Sequence, residues 1–265
     1  MSIKILVTGA NGQLGKTIEE LYSDKQNGLD FVFVSKAELD ITKVEELKRF
    51  FNNNNFDYCI NCAAYTNVEQ SEKTPEIAFE VNAKGVKNLA EVCKEKRIIL
   101  IHISTDYVFD GKKNEVYTIE DTPNPINEYG KSKLLGENFV HEILDEYFII
   151  RTSWLYSKVY GKNFYRSILE KAKTEKVFSV TVEQIGCPTD TVNLSKYIII
   201  QLIKTKNGNF GIHHFCDRVP MTWYDFAKQI LQENKIDNNI NLVKVNKYRT
   251  FAKRPKRSVL LEKLN

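Results

Sequence analysis

Along the first 150 residues, short apolar and β-branched runs alternate with longer stretches in which apolar residues recur every three or four positions. The runs Ile3 to Val7, Phe31 to Val34, Tyr58 to Cys62, Ile98 to Ile103 and Phe148 to Arg151 read as strands. The stretches Gly12 to Ser23, Val44 to Phe51, Pro75 to Lys94 and Glu128 to Leu144 carry charges between their apolar positions, the pattern of helices with one buried face. Because the strands are continuous apolar runs, both of their faces are expected to be covered. Regular strand and helix alternation then implies right-handed crossovers between parallel neighbours. The predicted class is α/β, a Rossmann-type doubly wound parallel sheet.

After Trp154 the alternation loosens into helices at Phe164 to Ala172, Leu194 to Ile203 and Trp223 to Gln232, with a short strand at Phe178 to Val182. No Pro- or Gly-rich linker separates the halves. The expectation is therefore a first domain over residues 1–153, with elements from about 184–205 returning to pack on it. A smaller interleaved α/β lobe is drawn mainly from 154–265. The runs Asn52 to Asn55 and Asn238 to Asn241 read as polar loops.

Composition narrows the class further. Hydrophobic residues make up 42% and charged residues 27% of the 265, which suits a globular chain and excludes disordered or collagen-like ones. The net charge of +4 is the small difference between 38 basic and 34 acidic residues, and the two signs are interspersed, so nucleic-acid binding gains no support. The N-terminal apolar run is too short for a signal peptide, and the longest apolar stretches, Ile98 to Ile103 and Tyr197 to Ile203, fall far below the roughly 20 residues that span a bilayer. The reading is a cytoplasmic protein without a membrane segment. Five cysteines do not make a disulfide framework. Cys59 and Cys62 form a CxxC, but on a buried strand that spacing points the two side chains to opposite faces, so no metal site is expected.

The first strand runs into Gly9-Ala10-Asn11-Gly12-Gln13-Leu14-Gly15, where the helical pattern begins. This GxxGxxG offers a pyrophosphate the unpaired N–H groups and positive dipole end of a helix, with glycines that allow close approach. The first domain is thus expected to bind a dinucleotide. Gly15-Lys16-Thr17 also resembles the end of a P-loop, whose first glycine would fall where this chain has Ala10. At the end of the second strand, Lys36 suits the 2′-phosphate of NADPH, while Glu38 keeps NADH open.

The sharpest chemical signal is Tyr129-Gly130-Lys131-Ser132-Lys133 on a helix, with Ser104-Thr105-Asp106 at the end of the fourth strand. A spacing of four puts Tyr129 and Lys133 on one helix face. A phenol titrating near 10 is a poor proton donor at neutral pH, and an adjacent ammonium has the sign of field that lowers it. Thr105 ends a parallel strand, where ligands of open α/β sheets gather, and is placed to bond both the phenol and a substrate carbonyl.

With these residues, STDYVFDG over Ser104 to Gly111, RTSWLY over Arg151 to Tyr156, and Arg254-Pro255 with Ser258, the chain resembles the extended short-chain dehydrogenase/reductases, and within them the dTDP-4-dehydrorhamnose reductase family, over nearly its whole length. The resemblance implies an NAD(P)H-dependent oxidoreductase. It would reduce the C4 ketone of dTDP-4-dehydro-6-deoxy-L-mannose to dTDP-L-rhamnose, a nucleotide-sugar step of polysaccharide biosynthesis. It implies Tyr129, Lys133 and Thr105 as the catalytic residues. Gly9, Asn11, Gly12, Gln13, Leu14, Gly15, Lys36, Asp40, Ile41, Ala63, Ala64, Tyr65 and Lys133 would hold the cofactor. Thr105, Tyr107, Tyr129, Trp154 and Arg254 would meet the sugar nucleotide, the last at its pyrophosphate. A homodimer is the assembly it admits.

Two departures stand out: the sequence ends soon after the Arg254 to Ser258 segment, where the family would add a helix, and Lys256 and Arg257 add charge beside Arg254, either for the pyrophosphate or as a solvated, frayed tail. Other nucleotide-sugar enzymes, a 4-epimerase or dehydratase, remain open, as does a non-catalytic dinucleotide-binding subunit. Thr105-Asp106 in place of an Asp-Glu pair favours net reduction.

Overall fold

In the computed structural model, which describes residues 2–24, 28–205, 208–217, 219–246 and 249–261, six parallel strands build one sheet. They are β1 (Ile3–Thr8), β2 (Leu29–Val34), β3 (Tyr58–Asn61), β4 (Ile99–Thr105), β5 (Tyr147–Thr152) and β6 (Gly211–Phe215). Their order across the sheet is β2-β1-β3-β4-β5-β6, every neighbour parallel. The chain moves outward from β1 to β2, then returns past β1 to build the remaining strands in the other direction. The switch point, the usual ligand crevice of an open α/β sheet, therefore lies between the carboxyl ends of β1 and β3.

Alternation along β1 shows how both faces are buried. Leu6 joins one core with Leu47, Phe51, Leu89 and Val140, beneath α2 (Val44–Asn53), α5 (Val86–Lys96) and α6 (Glu128–Ile143). Ile5 and Val7 join the other with Leu14, Ile18, Leu194 and Ile198, beneath α1 (Gln13–Tyr22) and α8 (Thr191–Lys196), which continues as a π-helical segment Tyr197–Lys204. Cys59 packs in the first core and Cys62 against the second, on the opposite faces that their spacing predicts.

The helix predicted over Pro75 to Lys94 is broken. After α3 (Val68–Lys73), α4 (Pro75–Phe79) passes through a π-helical turn, Glu80–Gly85, before α5. The wider turn carries buried Asn82 inward, where its side chain takes the Tyr65 N–H at 2.8 Å and donates to the Tyr65 carbonyl at 2.9 Å.

A third core packs α7 (Phe164–Thr174) and α9 (Trp223–Glu233) on a parallel pair of strands, Val177–Thr181 and Asn241–Val245. Two expectations are corrected here. Asn238 to Asn241 is not a loop throughout, since Asn241 opens a strand. The Lys253 to Arg257 segment is not itself frayed: Ile185 N–H donates to the Lys256 carbonyl at 2.8 Å, and beyond it Leu261 N–H donates to the Tyr117 carbonyl at 2.8 Å. Among the described residues no helix is long and apolar enough to cross a membrane.

Candidate active site

Gly9 ends β1 in the left-handed region at φ 65°, and a Cβ there would fall 2.6 Å from the Ala63 nitrogen at the exit of β3. The glycine thus lets the two strand ends close on each other at the switch point. Gly15 serves tight packing, because a Cβ on it would come within 2.7 Å of the Ala10 Cα. Between them Gly12 is the N-cap of α1, and no side chain caps that helix. Asn11, Gly12, Gln13 and Leu14 line the mouth of a cavity of about 780 Å³. Gln13 also bridges to the second lobe, donating to the Leu155 carbonyl at 3.1 Å and accepting from Asn163 Nδ2 at 3.1 Å.

Across that cavity stands the first turn of α6, whose N-cap Asn127 accepts from the Gly130 N–H at 2.7 Å. Tyr129 and Lys133 both line the cavity with Thr105, Tyr107, Trp154 and Arg254, so the structure brings together every predicted catalytic and substrate residue. The Thr105 side chain hydrogen-bonds the Tyr129 phenol. Lys133 is 1% exposed, and its Nζ donates to the Ile103 carbonyl at 2.7 Å. Burial lowers its pKa to about 8. Burial also pushes the Tyr129 phenol well above its ordinary value, with the Thr105 bond opposing. The acidifying field expected from Lys133 therefore does not dominate in this structure.

Another part of the cavity wall is built by distant segments. Arg254 Nη2 meets Glu69 Oε1 at 2.9 Å, and Glu69 Oε2 accepts the N–H groups of Phe251 and Ala252. Arg254 also bonds the Tyr107 hydroxyl, and its buried Nε has no hydrogen-bond partner among the described residues. Trp154, at φ 47°, stacks on Trp223 with 3.5 Å between ring centroids and 7° between planes. Trp223 in turn donates to Gln184 Oε1 at 2.8 Å.

Lys36, Asp40, Ile41, Ala63 and Tyr65 do not line this cavity. Lys36 is exposed and ion-paired with Asp40 at 3.8 Å, and Asp40 accepts from the Thr42 N–H and hydroxyl. The Glu38 carboxylate takes the Ser35 N–H at 2.7 Å, which commits it to its own turn. Ile41 puts its side chain into the core against Gly85, so only its backbone is available to a ligand.

Asp106, Glu69 and Trp223 are cavity residues to which sequence reasoning assigned no role. Asp106 sits within the STDYVFDG segment and was legible as a neighbour of Thr105. Glu69 and Trp223 carry no local signal, since their partners lie 185 and 39 residues away. Buried Asp106 is bonded to Ser258 and Thr105, and burial raises its carboxyl to about 7.

A family model described as the RmlD substrate binding domain matches residues 3–264. The dTDP-4-dehydrorhamnose reductase of Aggregatibacter actinomycetemcomitans is 36% identical, covering 97% of this chain and 90% of that protein. A dTDP-4-keto-6-deoxy-D-glucose reductase of Streptomyces niveus is 34% identical over 86% of this chain and 77% of its own length. Among solved structures, the dTDP-4-dehydrorhamnose reductase of Bacillus anthracis in complex with NADP superposes with a TM-score of 0.93 at 37% identity, covering 99% of this chain and 91% of that one.

Proposed function

This chain belongs to the RmlD substrate binding domain family, that of the dTDP-4-dehydrorhamnose reductases, and on that premise we propose how its own residues carry the reaction. The protein is an NAD(P)H-dependent oxidoreductase that reduces the C4 ketone of dTDP-4-dehydro-6-deoxy-L-mannose to dTDP-L-rhamnose, a step of polysaccharide biosynthesis. The observation that supports the assignment of roles is the meeting of Thr105, Tyr129 and Lys133 with the uncapped start of α1 in one cavity.

The residues present fit a dinucleotide. An uncapped helix N-terminus behind Gly9 and Gly12 suits a pyrophosphate, and exposed Lys36, just past the end of β2, would supply the cation that a 2′-phosphate needs. When bound, the reduced nicotinamide supplies the hydride to the carbonyl carbon. Tyr129 gives its phenolic proton to the carbonyl oxygen as charge develops there, which completes the hydroxyl. Thr105 holds the phenol oxygen through its side-chain hydrogen bond. Lys133, one turn along the same helix, lines the same cavity and would be the group that exchanges a proton with the phenol. Arg254, oriented by Glu69 and Tyr107, offers a guanidinium edge to the substrate pyrophosphate. Trp154, braced by Trp223, forms a flat wall for the sugar. Holding these groups within contact distance converts a bimolecular encounter into an oriented one.

The test follows loss of reduced nicotinamide when the dTDP-4-keto sugar is added. One equivalent should disappear per product formed, and Tyr129→Phe should abolish turnover while leaving cofactor binding intact. Product formation without cofactor consumption would point instead to an enzyme that regenerates its cofactor, and unchanged turnover in Tyr129→Phe would remove the phenol as proton donor.

A further inference from the structure

Behind the reacting surface, a buried chain of polar side chains links β1, β3 and β4 to the lysine of α6. Its direction is set by one group that can only donate, the backbone N–H of Ala63, which lies 3.2 Å from Asn61 Oδ1. Thr8 Oγ1 donates to the same oxygen at 2.7 Å. Those two contacts identify the oxygen end of the Asn61 amide, so it is the NH2 end that faces His102 Nδ1, at 3.0 Å. An amide nitrogen donates and does not accept, and His102 Nδ1 must therefore accept. His102 is fully buried, and burial, the largest cause, pushes its pKa well below the usual histidine value. The ring is thus neutral with its single proton on Nε2. That nitrogen lies 3.2 Å from Lys133 Nζ.

An ammonium has no lone pair with which to receive an N–H, whereas a neutral amine has one. We propose that His102, locked by Asn61 as the Nε2–H tautomer, is a positioning residue that biases Lys133 toward the neutral amine. It thereby sets the pH at which the neighbour of the proton donor gains its charge. Lys133 keeps its other contact in this state, because an amine hydrogen still donates to the Ile103 carbonyl.

The remaining groups around Lys133 bear on the same balance. Burial lowers it against Glu137 and Cys62 to about 8, and a hydrogen bond to the neutral form favours the uncharged amine. Glu137 on α6 pulls toward the ammonium, but its carboxylate is shared with Arg151 and Ser104. Cys62, at the exit of β3, is itself pushed to about 12 by burial and stays an uncharged thiol at neutral pH. Tyr129, four residues earlier on the helix, is likewise uncharged there. A lysine poised near the working pH can both take and release a proton during turnover, which a fixed ammonium does less readily.

The inference rests on the reading of Lys133 as partner of the proton donor, yet its test reads the protein alone. Long-range proton–nitrogen correlation spectra of protein labelled with 15N in histidine distinguish the two neutral tautomers from the imidazolium. His102 is assigned among the four histidines by loss of its signal in His102→Gln. The expected result is the Nε2–H pattern across the neutral range, with Lys133 Nζ, assigned through Lys133→Met, titrating below about 8. An Nδ1–H tautomer, or a Lys133 that stays charged well above that pH, overturns the proposal.

Asn61→Asp supplies a second reading. A carboxylate facing Nδ1 requires the proton there, turns Nε2 into an acceptor, and should move the Lys133 titration up by about one pH unit or more. The pH profile of kcat should follow it, which a purely structural lesion would not cause. If that variant does not fold, the spectrum of the unmodified protein still decides. Tyr129→Phe should leave the His102 tautomer as it is, so loss of the proton-donor reading and loss of this one produce different results.

Discussion

Gly136 of α6 and Asn82 of the π-helical turn touch backbone to backbone: a Cβ on Gly136 would come within 2.1 Å of the Asn82 carbonyl oxygen. Backbone cannot yield as a flexible side chain can, so Gly136→Ala must push α6 off its neighbour. The expected cost is about 1–3 kcal/mol in urea unfolding. Because Tyr129 and Lys133 ride on the same helix, kcat should fall by more than the loss of folded protein accounts for. A variant as stable and as active as the parent would show that the contact does not constrain the helix.

Beneath that helix, Arg151 and Glu137 form a buried ion pair at 2.7 Å with side chains only 2% and 3% exposed, closed by a second bond from Arg151 Nε. Removing one member leaves a buried charge alone. Glu137→Ala should therefore cost about 3–5 kcal/mol, read as a lowered denaturation midpoint. An exposed pair such as Lys173 with Glu170 should lose well under 1 kcal/mol on the same treatment.

Asp106 gives stability a distinctive pH dependence. Its carboxyl is raised from 3.8 to about 7 in the folded protein, chiefly by burial. Between those values the folded chain holds a proton that the unfolded chain has released, so this group makes stability fall as pH rises from about 4 to about 7 and level off above. The full effect is on the order of 4 kcal/mol. Unfolding curves at several pH values should show this slope in the parent and its loss in Asp106→Asn. An unchanged slope would mean that the carboxyl titrates normally.

Lys36 should discriminate between the two nicotinamide cofactors. It is exposed and paired with Asp40 at 3.8 Å, and the rival Glu38 is turned back onto the Ser35 N–H. Lys36→Ala is expected to raise KM for NADPH about tenfold, the worth of one charge-assisted contact, with little change for NADH. Equal effects on both would place the lysine away from the 2′-phosphate.

The stack of Trp154 on Trp223 holds a non-glycine residue in left-handed backbone, a conformation that costs roughly 1–3 kcal/mol unless its surroundings enforce it. Trp223→Ala frees Trp154 to relax. KM for the sugar nucleotide should rise several-fold while cofactor affinity, measured by fluorescence titration, stays the same. A parallel loss of cofactor affinity would assign the tryptophan pair to a different part of the cavity.

What the sequence determined by itself is the part of this protein governed by local spacing. Strands β1 to β5 and their helices were legible because a continuous apolar run and a three-to-four repeat each admit one backbone geometry. Tyr129 and Lys133 were legible as one helix face for the same reason, and Gly9 to Gly15 as a turn entering a helix. The edge strand β6 escaped notice because Gly211-Ile212-His213-His214-Phe215 hides its apolar positions among two histidines, which only pairing with β5 turns into strand. The π-helical turn around Asn82 is likewise invisible to helical periodicity, since its stability comes from what Asn82 reaches at Tyr65.

The tertiary structure alone decided which groups surround the reactive ones. Asn61 and His102 are 41 residues apart, Glu69 and Arg254 185, and Asp106 and Ser258 152. No local pattern encodes such meetings, because strand order and lobe packing set them after the elements have formed. The electrostatics were decided there too. Desolvation depends on what lies on every side of a group, and it raised the Tyr129 phenol and lowered the Lys133 ammonium, against the acidified phenol that their spacing on a helix had suggested.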